Sequence, residues 1–341
     1  MTWLVSGANG LLGREVTALL TAAGEHPRVL ILPGEKPHWK NPESVDVWEA
    51  DINDPVALRR ALQGVDQVVH CAARTGPWGP RSEYRRTNVA ALESFVGEAM
   101  KAGVCRFVHV SSITVHGNDH RGQADEDAPF RVEPNPYSWS KVAGERLLAR
   151  MISEEGARVS IVRPGWIYGP GDTANFARLA HLIEARRLAV LGSGHNRLPL
   201  IYLSDAARGT LLASKVEEAE GRVYLLVNDE AVSQQDFLSS MAAELGAPMP
   251  TRHIPYRLAL LGAAQVERIW RCSGARRPPP LTRYGLQLLG GDNRFIVERA
   301  RAELGFSAQT RLAEGIRQSV EWYRSTQRAL GARASTKRVP A

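Results

Sequence analysis

Short apolar runs alternate with stretches of helical period through the first two thirds of the chain. Trp3-Leu4-Val5, Arg28 to Leu32, Val45 to Glu49, Gln67 to Cys71, Arg106 to Val110 and Val159 to Val162 read as strands, and Arg222 to Val227 as a late strand returning to the same sheet. Between them, Arg14 to Leu20, Pro55 to Leu62 and Ala90 to Ala102 carry apolar residues at helical spacing. Asp54-Pro55 has the form of an N-cap followed by proline at the first helical position. Strand and helix in strict alternation predict an α/β fold, a doubly wound parallel sheet whose ligand lies at the carboxyl ends of its strands. No internal repeat interrupts the pattern, and Arg276-Arg277-Pro278-Pro279-Pro280 reads as a stiff surface connection.

The length of 341 residues suits two domains. The boundaries expected are 1–169 for a dinucleotide-binding domain to which 196–232 return, 170–195 and 233–328 for a smaller, mostly helical substrate domain, and 329–341 for a basic flexible tail. Hydrophobic residues make up 44% and charged residues 23%, enough to fill a sizeable core. Cys71, Cys105 and Cys272 lack metal or redox spacing, and the nine histidines show no ligand pattern, so no metal is expected. The first strand starts almost at Met1 with no room for a leader peptide, and a cytoplasmic setting is expected. Of the net charge of +7, five positive residues, Arg324, Arg328, Arg333, Lys337 and Arg338, follow Glu321 with no acid among them. That placement argues for a solvated tail and against nucleic-acid binding. Tyr256 to Cys272 holds the apolar run Leu258 to Val266, far short of the ~20 residues of a membrane span. A helix over a substrate pocket is the first reading, and peripheral membrane contact the second.

The chemistry begins with Tyr137-Ser138-Trp139-Ser140-Lys141, where four-residue spacing places phenol and ammonium on one helix face. A free tyrosine titrates near pH ~10 and each pKa unit is worth ~1.4 kcal/mol, so bringing it near neutrality takes roughly 4 kcal/mol. A unit charge about 4 Å away at an effective dielectric of ~20 supplies that much. Upstream, Gly7-Ala8-Asn9-Gly10-Leu11-Leu12-Gly13 lies between the first strand and first helix, the context in which backbone amides hold a pyrophosphate. Asp51 follows the third strand, where a carboxylate can meet an adenine amino group. Leu32-Pro33-Gly34-Glu35-Lys36 lacks an acid at the tip of the second strand, and Lys36 could meet a 2′-phosphate. This tips the expected cofactor toward NADP(H) over NAD(H).

Taken together with Cys71-Ala72-Ala73, Thr87-Asn88-Val89, Val110-Ser111-Ser112 and Arg163-Pro164-Gly165-Trp166-Ile167-Tyr168-Gly169-Pro170-Gly171-Asp172, these motifs resemble the extended short-chain dehydrogenase/reductases from residue 2 to about 325. Ala72 to Gly79 and Pro279-Pro280-Leu281-Thr282-Arg283 are similar to the branch of 3β-hydroxysteroid dehydrogenases, sterol-4α-carboxylate 3-dehydrogenases and 2-alkyl-3-oxoalkanoate reductases. The resemblance implies a Rossmann-type fold in which Tyr137 is the general acid/base. Lys141 would hold the nicotinamide ribose and lower the Tyr137 pKa, and Ser112 would bind the substrate oxygen. Strand alternation turns Ser111 to the opposite face, and matching Thr114-Val115-His116-Gly117 to the family selects Ser112. His116 is expected as a packed or hydrogen-bonded ring, and Arg163 as a salt-bridge partner.

The cofactor contacts implied are Gly7, Asn9, Gly10, Leu11, Leu12, Gly13, Lys36, Asp51, Ile52, Cys71, Ala72, Ala73, Asn88, Ser111, Tyr137, Lys141, Pro164 and Gly165, and the substrate contacts Trp78, Ser112 and Trp166. For Asn88, a backbone-organising role and a plain helix start stand equal; for Trp78 and Trp166, interdomain packing is the rival reading. The expected activity interconverts a secondary alcohol and a ketone on a small hydrophobic, steroid-like or long-chain 3-oxo acyl substrate, and a homodimer is compatible with it. A sugar-nucleotide epimerase or dehydratase is the alternative, and a non-catalytic dinucleotide-binding regulator the third. Leu198 and Pro199 replace the Arg-Asp of the epimerases, although Arg197 lies one residue away.

Overall fold

The computed structural model describes residues 1–37, 39, 42–119 and 122–336, with side chains through Ala329. Seven strands form the central sheet: β1 (Trp3–Ser6), β2 (Arg28–Ile31), β3 (Asp46–Glu49), β4 (Gln67–His70), β5 (Arg106–Val110), β6 (Val159–Pro164) and β7 (Val223–Leu226). Their order is β7-β6-β5-β4-β1-β2-β3, every pair parallel. The order reverses beside β1, so β1 and β4 diverge at their carboxyl ends into the crevice expected to take a ligand. The inner strands are buried on both faces, which is why they read as continuous apolar runs rather than alternating ones.

Helices cover both faces. Leu12, Val16 and Leu20 of the helix Leu11–Ala22 and Leu211 of the helix Leu203–Lys215 close one core over Val5, Val69 and Val108. Leu58, Leu92, Phe95, Leu148 and Met151 close the other over Leu4, Val68 and Phe107. A third core, with Tyr168, Phe176, Phe237, Met241 and Ile316 at its centre, belongs to the segments beyond β6. There Trp166–Tyr168 runs on from β6 after Gly165 and pairs with Leu200–Tyr202, outside the main sheet. A Cβ at Gly165 would lie 2.2 Å from the Pro199 carbonyl oxygen, so only glycine lets the two strands cross there.

Local rules account for most boundaries. Asp54 caps the helix Pro55–Ala61 by accepting from the amides of Val56 (2.9 Å) and Ala57 (3.2 Å). β7 pairs with β6, as the late strand was expected to do. The helix expected from Ala90 to Ala102 is longer: Arg81–Arg85 leads through a π-helical turn, Arg86–Ala90, into Ala91–Lys101. The turn puts Asn88 inward, and such bulges are frequent at functional sites. The last helix runs Leu312–Thr336, so residues 329–336 of the expected tail continue it, and 337–341 lie outside the described residues.

Candidate active site

The helix Pro136–Glu155 starts where Asn135 accepts from the Ser138 amide (2.8 Å), with Pro136 in its first turn. This sets Tyr137 and Lys141 beside the end of β5. The Tyr137 phenol faces the Ser112 hydroxyl, which favours its ionised form. Ser112 Oγ shares a hydrogen bond with Thr114 Oγ1 (2.9 Å), and Thr114 Oγ1 shares another with the Tyr284 hydroxyl (3.2 Å). The Tyr137 and Tyr284 rings meet edge to face, centroids 6.2 Å apart. The hydroxyls of Ser112, Thr114 and Tyr284 thus form one chain beside Tyr137, its last member supplied by the helix Arg283–Gly290.

The Lys141 ammonium lies 5.9 Å from the Tyr137 ring centroid and donates to the Val110 carbonyl at 2.7 Å. Burial lowers the Lys141 pKa to about 8, opposed by Glu145 and Cys71. Desolvation also raises Tyr137 to about 12, opposed by the facing Ser112 hydroxyl. The expected depression of the phenol pKa by Lys141 is therefore corrected: desolvation dominates, and the ammonium is turned to a carbonyl oxygen. Tyr137 is a half-buried phenol held in its protonated form at neutral pH.

Beneath Lys141 lies a buried ion pair. Arg163 Nε approaches both oxygens of Glu145 (2.9 and 3.1 Å), and its other nitrogens donate to Glu145 and to the Glu126 carbonyl. Ser111 donates to the same Glu145, on the face opposite Ser112, as strand alternation requires. His116 Nε2 lies 3.0 Å from Arg163 Nη1 and the ring packs on Phe295, a packed and hydrogen-bonded imidazole as expected. Asn88 takes the organising role: it accepts from the Arg74 amide (2.8 Å) and donates to the Arg74 carbonyl and Ser140 Oγ (2.9 Å each).

The glycine loop is closed to any side chain. A Cβ at Gly7, whose φ is +66°, would lie 2.7 Å from Ala72, and one at Gly13 would lie 2.2 Å from the Gly7 carbonyl. Gly10 precedes the helix Leu11–Ala22 with no side-chain cap, leaving its first amides for a ligand. Asn9 Oδ1 and Arg14 Nε are buried there with no partner among the described residues. Asp51 accepts from the Asn53 amide and side chain (2.9 and 2.7 Å), and Ile52 is buried next to it. Burial raises the Cys71 thiol to about 12. Pro164 ends β6, and Gly165 donates to Leu226. At the tip of β2, Glu35 turns its side chain to the loop, accepting from Asn9 Nδ2 at 2.9 Å, and the Lys36 carbonyl accepts from the same nitrogen at 3.3 Å.

Trp78 is half-buried, its indole donating to the Ala275 carbonyl (3.1 Å) under the Arg271 guanidinium. Trp166 packs against Phe237 in the third core, and its buried indole N–H has no partner among the described residues. Sequence reasoning missed Tyr284, Thr114, Glu145 and Glu35. Glu145 was within reach of it, one helical turn beyond Lys141 on the same face.

A parallel doubly wound sheet, a glycine cradle and a Tyr-Lys pair beside a serine define a short-chain dehydrogenase/reductase. The chain belongs to the NAD dependent epimerase/dehydratase family, whose pattern matches residues 3–226. It is similar to the 2-alkyl-3-oxoalkanoate reductase of Stenotrophomonas maltophilia (strain K279a), 29% identical over 329 residues, 93% of this chain and 98% of that one. It is also similar to the 4-hydroxy-2-methyl-3-oxo-4-farnesyl-3,4-dihydroquinoline-1-oxide ketoreductase of Stigmatella aurantiaca, 27% identical over 93% of this chain and 95% of that one. Among solved structures, MoeE5 in complex with UDP-glucuronic acid and NAD superposes with a TM-score of 0.76 at 25% identity, covering 96% of this chain and all of that one. The protein is an NAD-dependent enzyme of the dehydrogenase/reductase type. The uncapped helix start, the cradle that a Cβ would fill and the two orphaned polar atoms fit such a dinucleotide.

Proposed function

We propose that this enzyme interconverts a ketone and a secondary alcohol on an apolar, long-chain 3-oxo acyl or steroid-like skeleton, with NAD(H) as cofactor. The observation that carries the reading is the half-buried Tyr137, its ring edge to face with Tyr284, beside the hydroxyl chain Ser112–Thr114–Tyr284 and one helical turn before Lys141. When bound, the nicotinamide supplies or accepts a hydride at the carbinol carbon. Tyr137 gives its proton to the substrate oxygen in the reducing direction and takes one back in the other. Ser112 holds that oxygen and steadies developing negative charge. Lys141 adds positive charge beside the phenol and, with Gly7, Asn9, the Gly10–Gly13 turn, Asp51, Ile52, Cys71 to Ala73, Ser111, Pro164 and Gly165, would hold the cofactor. Asn88 sets the loop after β4 through its bonds to Arg74.

Two observations bear on the choice of ligands. Arg197, the residue left to meet a diphosphate, donates Nη1 to the Ala231 carbonyl and its backbone amide to Asp292, and Leu198 is buried in the third core. The orphaned Trp166 N–H is a single donor among apolar rings, suited to a second oxygen on a hydrophobic substrate. For the cofactor, the Glu35 carboxylate at the loop favours a ribose 2′-hydroxyl and repels a 2′-phosphate, which replaces the lean to NADP(H) drawn from Lys36. The second reading, a sugar-nucleotide epimerase, draws on the fold shared with MoeE5.

Initial rates with NADH and NADPH against long-chain 3-oxo acids, steroid ketones and UDP-sugars separate the two. Turnover of a hydrophobic ketone, faster with NADH, is expected. Micromolar UDP-sugar binding by calorimetry, with no turnover of any hydrophobic alcohol or ketone, would move the enzyme to the epimerase class.

A further inference from the structure

The helix Tyr256–Cys272 has one face in the third core and one face bare. Ala263 and Glu267 are buried, and Ala259 and Leu260 pack on the third core. On the opposite side Leu258, Leu261 and Ile269 are each more than 60% exposed. Together with Gln265 they fall at positions i, i+3, i+7 and i+11, a single stripe along the helix. Three of the ten large exposed hydrophobic side chains among the described residues lie on this one stripe, so the patch is concentrated rather than scattered.

The charge around the stripe is one-sided. From Pro255 to Arg283 the chain carries six arginines and one acid, Glu267. That acid is turned inward and paired with Arg283 (2.9 Å) and Arg271 (3.7 Å). Arg257 and Arg268 flank the stripe, Arg276 and Arg277 follow the helix, and all four are exposed and form no ion pair among the described residues. Two copies packed through this face would oppose arginine to arginine with no acid between them. An anionic surface meets the same charges favourably, and arginine stems reach past shallowly inserted leucines to headgroup phosphates.

We propose that this face docks on an anionic lipid bilayer, with Leu258, Leu261 and Ile269 inserted at the headgroup boundary and Arg257, Arg268, Arg276 and Arg277 on lipid phosphates. The surface stands without the substrate reading above. Its position gives it a use in that reading: Trp78 donates to Ala275 at the end of this helix, and Glu267 holds Arg283, the neighbour of Tyr284. Substrate dissolved in the membrane would reach the site beside the docked helix.

Sedimentation with vesicles tests it without any turnover. The full chain is expected to pellet with phosphatidylcholine vesicles containing phosphatidylglycerol at low salt, less at physiological salt, and not with phosphatidylcholine alone. Leu261→Glu, Ile269→Glu and the double change Arg257→Glu/Arg268→Glu, all at exposed positions, should each lower the apparent affinity by roughly tenfold or more, with melting curves by circular dichroism matching the parent. Absence of binding to phosphatidylglycerol vesicles at low salt overturns the proposal. So does undiminished binding by Leu261→Glu, or a concentration-dependent dimer that Leu261→Glu dissolves while vesicles are ignored.

Discussion

At the scale of single residues, the site trades stability for readiness. Lys141 is 3% exposed, and its pKa falls from 10.5 to about 8 because burial disfavours the ammonium. At ~1.4 kcal/mol per unit this is a penalty on the order of 3 kcal/mol at neutral pH. The sign follows from proton binding. Below about pH 8 both folded and unfolded chains carry the charge, and the penalty is complete. Between about 8 and 10.5 the unfolded chain binds more protons, so stability from this group rises with pH. Lys141→Met should therefore melt higher than the parent at pH 7, less the ~1 kcal/mol lost with the bond to Val110, and the gap should narrow toward pH 10. A lower melting temperature at pH 7 would mean the ammonium is not penalised by its setting. Tyr137→Phe removes only the hydroxyl that faces Ser112, beside the chain from Ser112 through Thr114 to Tyr284. It should lose ~10²–10⁴-fold in kcat while cofactor affinity, read by quenching of protein fluorescence, stays within a few-fold. Near-parental turnover would exclude Tyr137 as the proton donor.

At the scale of elements, the junctions of strand and helix carry the binding chemistry, and their glycines are set by close approach. Gly7 and Gly24 both have positive φ, +66° and +81°, yet only Gly7 faces a neighbour: its Cβ would meet Ala72 at 2.7 Å, and that of Gly24 nothing within 4 Å. Gly24→Ala should cost only the ~1–2 kcal/mol of a left-handed alanine. Gly7→Ala should cost more and abolish dinucleotide binding, because β1 and β4 must part to admit the methyl. Melting curves and NADH titration of the two variants check this, and equal losses in both assays would show that the cradle tolerates a side chain. The pair Glu145–Arg163 belongs to this scale as well, since it fastens the helix Pro136–Glu155 to β6 under Lys141. Arg163→Met leaves a buried carboxylate unpaired and should cost ~3–5 kcal/mol, measured by urea unfolding.

Across the whole molecule, the site is completed by parts distant in sequence. Tyr284 closes the hydroxyl chain from the helix Arg283–Gly290, whose first residue is tied to Glu267 of the neighbouring helix. Trp78 reaches the Ala275 carbonyl from the loop after β4. No helix among the described residues is long and apolar enough to cross a membrane. Trp78→Phe keeps an aromatic ring but loses the indole N–H and the second ring under Arg271. It should raise the substrate KM several-fold and leave cofactor affinity unchanged, because the glycine loop is untouched. A change in kcat alone, with KM constant, would place Trp78 outside substrate capture.

The amino-acid sequence by itself determined whatever depends on neighbours a few residues apart. The sheet strands were legible because parallel strands buried on both faces must be short apolar runs, and Asp54 declared its helix start by capping chemistry. Tyr137 and Lys141 were visible as a pair because four residues bring two side chains to one helix face. Ser112 could be separated from Ser111 because adjacent strand residues face opposite ways, and Ser111 indeed turns to Glu145. Tertiary structure decided what depends on burial and on partners from elsewhere. The Tyr137 pKa is pushed up rather than down, because desolvation of the phenol dominates, and the Lys141 ammonium turns to Val110. The Glu35 side chain meets Asn9 of the glycine loop, and Arg197 donates to Ala231, because a side chain's direction is settled by the turn that carries it and the partners it finds. Tyr284 was invisible for the same reason. Its hydroxyl matters only once the helix bearing it packs against Thr114, and no local periodicity encodes which distant helix will arrive there.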